Sequence, residues 1–91
     1  MNLDFADRVI ILTGAGGGIG SASVKLLVES GAHVICVDQN EAALQSLSKS
    51  LPQNQITLVP MAITDAGSVS KVMELVMTKH SHLDAFIHMA A

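Results

Sequence analysis

Val9-Ile10-Ile11-Leu12-Thr13-Gly14-Ala15-Gly16-Gly17-Gly18-Ile19-Gly20 is the stretch from which the rest of the chain becomes readable. Its first four residues are continuously apolar, as a strand covered on both faces requires. Glycines at 14, 16, 17, 18 and 20 then break the strand. Beyond them Ile19, Ala22, Ser23, Leu26 and Leu27 fall at helical spacing, with Ser21, Lys25 and Glu29 on the opposite, wet face. Lys25 and Glu29 stand one turn apart, placed to interact. Gly31 falls where a left-handed helix cap is wanted. The stretch reads as strand, glycine turn and helix.

The same alternation continues downstream. His33-Val34-Ile35-Cys36-Val37, Ile56-Thr57-Leu58-Val59 and Ala85-Phe86-Ile87 are further short apolar runs, none with a clean alternation of apolar and polar residues. A second helix is expected from Asn40 as N-cap, burying Ala43, Leu44, Leu47 and Leu51 before Pro52 stops it. A third is expected from Asp65 as N-cap, burying Val69, Val72, Met73 and Val76 and keeping Lys71, Glu74 and Thr78 in water. The order βαβαβαβ with short connections predicts an α/β fold, a parallel sheet flanked by helices. No repeat, linker or low-complexity tract interrupts it.

A glycine-rich run gains meaning when it leaves a strand and opens a helix. Gly14 lets the chain turn sharply, Gly18 leaves room for a pyrophosphate to approach the backbone, and Gly20 lets the helix pack closely. An anion at the helix start gains roughly 0.3–1 kcal/mol from the dipole, with hydrogen bonds besides. Asp38 ends the second strand about 20 residues beyond the glycines, where the ribose hydroxyls of an adenine dinucleotide are bound. A carboxylate accepting such hydroxyls makes bonds worth roughly 1.5–3 kcal/mol each. It also repels a 2′-phosphate, and Gln39 and Asn40 bring no cation to neutralise one. The chain therefore reads as a Rossmann-type segment that grips an adenine dinucleotide, NAD ahead of NADP. A turn or helix-capping acid is the other reading of Asp38.

Thr13 to Gly20 match the pattern Thr-Gly-x-x-x-Gly-x-Gly in full, and Ala22, Leu26, Leu27, Gly31, Ala32 and Val34 are typical of the helix and strand after it. Met61-Ala62-Ile63-Thr64-Asp65 is similar to an Asp-Val-Thr-Asp segment after a third strand. Leu83 to Ala91 are similar to a Leu-Asp-x-Leu-Val-Asn-Asn-Ala-Gly strand. On these residues essentially the whole chain resembles the N-terminal, cofactor-binding half of a short-chain dehydrogenase/reductase. The resemblance implies a partial doubly wound sheet with strand order 3-2-1-4. It implies one Rossmann domain over residues 1–91, the catalytic half being absent. The activity it implies is that of an oxidoreductase transferring hydride between nicotinamide and a hydroxyl or carbonyl carbon.

The same resemblance assigns Gly14, Gly17, Gly18, Ile19 and Gly20 to the pyrophosphate and Asp38 to the ribose. Ala62 and Ile63 would line the adenine site, with His88 and Ala90 near the inner ribose. Two departures stand out. The family's adenine-contacting Asp falls on Ala62, and its Asn-Asn-Ala-Gly run reads His88-Met89-Ala90-Ala91. The family's catalytic Tyr and the Lys beside it lie beyond the fourth strand, and this chain has no Tyr, so no catalytic residue is assigned. In such a fragment the fourth strand would be an edge carrying Phe86, Ile87 and Met89. An open edge invites association with a second copy. The alternative expectation is accordingly a non-catalytic nucleotide-binding or assembly module that pairs through this strand.

Composition narrows the remaining classes. Ninety-one residues make at most one small domain, and 49% hydrophobic content is enough for a core. The net charge is −3, and Arg8, Lys25, Lys49, Lys71 and Lys79 are scattered, with no Trp or Tyr to stack on bases. Nucleic acid is not an expected partner. The lone Cys36 excludes an internal disulfide and suits a reducing compartment, and it reads as a small buried strand residue. The N-terminal residues lack a signal-peptide pattern, and no apolar run approaches the ~18 residues of a membrane span, so a cytoplasmic protein is expected. His33, His80, His82 and His88 have no further ligands at metal-site spacing, and no metal is expected.

Overall fold

The computed structural model describes residues 5–89. In chain order they form β1 (Val9–Thr13), α1 (Gly18–Glu29), β2 (His33–Asp38), α2 (Glu41–Ser48), a 3-10 turn (Gln53–Gln55), β3 (Ile56–Pro60), α3 (Ala66–Lys79) and β4 (Ala85–His88). The four strands pair in parallel in the order β3-β2-β1-β4. This is the α/β architecture and the strand order expected above. In the register of the sheet Thr13 stands between Val37 and His88, so the C-terminal ends of β1, β2 and β4 finish side by side.

Because side chains alternate across a strand, the continuous apolar runs feed two cores at once. Ile10 and Leu12 of β1 join Val34 and Cys36 of β2 beneath α1 and α2, together with Val24, Val28, Leu44 and Leu47. Val9 and Ile11 join Ile35 and Val37 on the opposite face, beneath Val72 and Val76 of α3. Each fully buried Val, Leu or Ile side chain contributes about 1.5–3 kcal/mol. That double demand is why none of these strands shows the alternating pattern of a half-exposed sheet.

The helices start and stop as their caps direct. The Asn40 side chain accepts a hydrogen bond from the Ala43 N–H, and Asp65 accepts one from the Ser68 N–H, so both expected N-caps are present. At the end of α1, the Gly31 N–H donates to the Val28 carbonyl and the Ala32 N–H to the Leu27 carbonyl, with Gly31 at φ +100°. This is the paired bonding of a Schellman motif. Helix α2 ends at Ser48, well before Pro52, and the Gln53 side chain takes up the Ser48 carbonyl.

The buried face of α1 differs from the one expected. Gly20, Val24 and Val28 face the core, whereas Ile19 is 75% and Leu26 57% exposed, and Ala22 is also exposed. The cause is Gly20: a Cβ there would overlap the Gly14 carbonyl oxygen. The bare side of the helix is therefore the side that approaches the loop, and Val24 and Val28 follow it inward at four-residue intervals. In α3, Val72 and Val76 are buried as expected, but Met73 lies at the exposed margin. Among the described residues Arg8 and Asp84 form an ion pair, His82 Nε2 lies 3.1 Å from the Asp84 carboxylate, and Lys25 makes no ion pair with Glu29.

Candidate functional site

The turn off β1 is built from main chain. Gly14 adopts φ +74°, and a Cβ on it would collide with the Met89 carbonyl oxygen. Its own carbonyl accepts from the Gly17 N–H, while the Ala15 N–H donates to Val37 at the end of β2. Gly17 is the N-cap of α1 and supplies no side chain to it. The first N–H groups of the helix are therefore free of side-chain capping at the point where the dipole favours negative charge. A Cβ on Gly18 would meet nothing within 4 Å, so the space in front of this helix start is open.

Asp38 closes the loop from the other side. Its Oδ2 accepts the Gly16 N–H at 2.9 Å, and its Oδ1 accepts the Asn40 N–H at 2.8 Å. One carboxylate thus ties the end of β2 to the glycine turn and to the start of α2. The turn-acid reading of Asp38 is accordingly part of its role. Each carboxylate oxygen has lone-pair capacity beyond the single bond it accepts here.

At the C-terminal ends of the strands a cleft of about 340 Å³ opens, lined in part by Thr13, Gly14, Asp38, Ala62, Ile63 and His88. In open parallel sheets this is the end at which ligands bind. Of the residues singled out from sequence, Gly14, Asp38, Ala62, Ile63 and His88 line this cleft. Gly17, Gly18 and Ile19 are exposed at the helix start that follows Gly14, and Gly20 is buried behind them against the loop backbone. Ala90 lies outside the described residues.

Sequence reasoning missed two contacts. The Thr13 hydroxyl and His88 Nδ1 lie 2.6 Å apart across the β1–β4 pair. The Gly16 N–H is one of the two hydrogen-bond partners of the Asp38 carboxylate among the described residues. Thr13 and Gly16 both belong to the glycine-turn motif, but which side of the turn each presents depends on the register of β4 and on the path of β2. Both are long-range facts.

Away from the cleft, the titratable groups serve the fold. Asp84, at the start of β4, accepts the Val9 N–H at 2.8 Å and pairs with Arg8 at 3.2 Å. The Val9 bond is the main cause that holds its carboxyl below the usual carboxylate range. His33 links β2 to β3 through Thr57 Oγ1 at 2.9 Å and the Asn54 carbonyl at 3.2 Å, and its ring lies 4.6 Å from that of His80. Burial, and then His80, lower its pKa from the ordinary 6.5. Burial pushes the Cys36 thiol up to about 12. No group of three or more His, Cys, Asp or Glu residues able to hold a metal occurs among the described residues. None of their helices is long and apolar enough to cross a membrane.

Comparison with known proteins agrees with this architecture. An uncharacterized oxidoreductase of Staphylococcus aureus strain N315 is 34% identical over 84 residues, covering 92% of this chain and 36% of its own length. The crystal structure of a short-chain dehydrogenase/reductase from Brucella melitensis, described as a glucose/ribitol dehydrogenase, superposes with a TM-score of 0.87 at 30% identity. That match covers 94% of this chain and 37% of the other. A 3-ketoacyl-(acyl-carrier-protein) reductase from the same organism, solved with NADH, shares the fold at a TM-score of 0.81 and 24% identity, covering 91% of this chain and 34% of its own. The chain thus spans about a third of the length of the relatives it matches. The sequence profile described as short chain dehydrogenase matches residues 8–91, and the chain belongs to that family.

Proposed function

We propose that these residues are the cofactor-holding portion of an oxidoreductase and that they grip an adenine dinucleotide, NAD in preference to NADP. Gly14, Gly17, Gly18 and Ile19 would meet the pyrophosphate through their main chain, with Gly20 acting behind them by letting α1 close on the loop. Asp38 would accept hydroxyls of the adenosine ribose. Ala62 and Ile63 would form an apolar wall for adenine, without the side-chain hydrogen bond that an Asp at position 62 would add. His88 and Ala90 would stand near the inner ribose. When bound, the nicotinamide supplies hydride exchange with a hydroxyl or carbonyl carbon of a substrate. The chain contains no Tyr, and we assign its residues to binding and orientation rather than to proton transfer.

One observation carries this reading. An uncapped helix start with open space at Gly18 stands beside a carboxylate already fixed by two main-chain N–H groups. The first suits a diphosphate and the second a diol. Two relatives of this fold are described as complexes with NADH and with NAD. The test is calorimetric titration of the chain with NAD and NADP. NAD is expected to bind at least about tenfold more tightly, a difference of ~1.4 kcal/mol, because Asp38 opposes a 2′-phosphate. Asp38→Ala should weaken NAD binding and erase that preference. Absence of any NAD binding overturns the reading, and equal affinities overturn the role of Asp38.

A further inference from the structure

The Thr13–His88 contact has no counterpart in the function just assigned to His88. Thr13 is 3% exposed, and among the described residues its hydroxyl makes this one side-chain hydrogen bond. His88 lies at the open end of β4 and lines the cleft beside Gly14 and Asp38. Histidine is the side chain whose charge changes most readily between pH 5 and 8. Among the residues lining the cleft from β1, β2 and the β3–α3 connection, Asp38 is the other ionisable one.

We propose that the Thr13–His88 pair makes dinucleotide binding proton-dependent, His88 acting as a binding residue whose charge sets the affinity for the anionic ligand. This rests on the dinucleotide reading above. In the neutral tautomer whose N–H sits on Nε2, Nδ1 accepts the Thr13 hydroxyl proton. When the ring takes up a proton, Nδ1 becomes a donor, and the Thr13 oxygen must accept instead of donate. The hydroxyl hydrogen then has to turn elsewhere, and the cleft is the open direction. Protonation therefore adds a positive charge and releases a donor at the same place. Both changes favour a ligand that carries a diphosphate and ribose oxygens. Asp38, the other ionisable group of the cleft, is tied to the Gly16 and Asn40 N–H groups rather than to His88.

The experiment is titration of the 91-residue chain with NAD between pH 5.5 and pH 8 at low ionic strength. Affinity is expected to rise about tenfold toward the acid end, the factor that follows from one pH unit of displacement in a coupled titration. His88→Asn should lose the pH dependence, whatever its affinity at pH 8. Thr13→Ser, which keeps the hydroxyl, should retain it. A flat wild-type profile, or the same slope in His88→Asn, overturns the inference and leaves NAD binding intact. No binding at any pH overturns both readings. A measurement that needs no variant is the titration of the His88 ring by NMR. Its midpoint should move to higher pH when NAD is added, and an unmoved midpoint refutes the coupling.

Discussion

Gly20→Ala and Gly18→Ala, two single-methyl additions to the same helix end, should change stability in opposite directions. At Gly20 the new Cβ would overlap the Gly14 carbonyl oxygen and press on the Ala15 Cα, both of them main-chain atoms that no rotamer change can move aside. Forcing an extra carbon into a packed site costs about 1–3 kcal/mol, and a backbone neighbour argues for the upper end. Alanine in a helix returns up to about 1 kcal/mol of propensity over glycine. The net loss is then about 2 kcal/mol, or a melting temperature lower by roughly 8–16 °C for a domain of this size. At Gly18 the new Cβ meets nothing within 4 Å. The same propensity term is unopposed there and should raise stability by about 0.4–1 kcal/mol. The methyl would instead occupy the space assigned to the diphosphate, so NAD affinity should fall while the melting temperature rises. Thermal unfolding followed by circular dichroism, with and without NAD, reads both effects. A Gly20→Ala chain as stable as wild type would refute the account of how α1 is oriented. A Gly18→Ala chain that binds NAD unchanged would refute the placement of the diphosphate.

Three further outcomes rest on single contacts. Above pH 6.5 His33 is neutral whether folded or unfolded, but its lowered pKa means that unfolded chains bind the proton first as pH falls. Stability should therefore decline from pH 6.5 downward until the folded pKa is passed, with His80 and Lys79 as the titratable groups that face the ring, and His33→Gln should flatten that part of the urea-unfolding pH profile. Cys36 is fully buried with its thiol pushed up to about 12, so a thiol-specific reagent at pH 8 should leave it unmodified until the chain is unfolded in urea. Asn40→Ala removes the N-cap bond to Ala43 and should cost about 0.5–2 kcal/mol, read as a shift in the urea midpoint with an unchanged slope.

The elements were legible because their signals are local. Each strand is a short apolar run that both faces of the sheet demand, and Asn40, Asp65 and Gly31 mark helix ends through their own backbone chemistry. The glycine turn and the turn-acid contact of Asp38 were legible for the same reason. The inward face of α1 was not. Apolar spacing selected Ile19, Leu26 and Leu27, but rotation of the helix is set by Gly20, a residue with no hydrophobicity to register, closing on a carbonyl from the preceding turn. Leu26 and Ile19 are then carried outward regardless of their character. The Thr13–His88 pair was hidden in a different way. It depends on Thr13 and His88 standing opposite each other in the β1–β4 register, which no local pattern encodes.

Asp38 shows how the turn-acid reading and the proposed ribose role are compatible in one carboxylate. A carboxylate that binds a ribose through a freely rotating side chain must lose that freedom on binding, which weakens the complex. Here the fold removes the freedom first, because the Gly16 and Asn40 N–H groups fix both oxygens. The turn-acid role would thus prepare the same group for the diol proposed to bind it. Because Gly16 lies inside the loop assigned to the diphosphate, a ligand that settles the loop also settles the carboxylate. The ends proposed for phosphate and ribose are already joined by a single 2.9 Å hydrogen bond between Gly16 and Asp38. The site is therefore coupled before anything enters it, and a substitution at either end should be felt at the other.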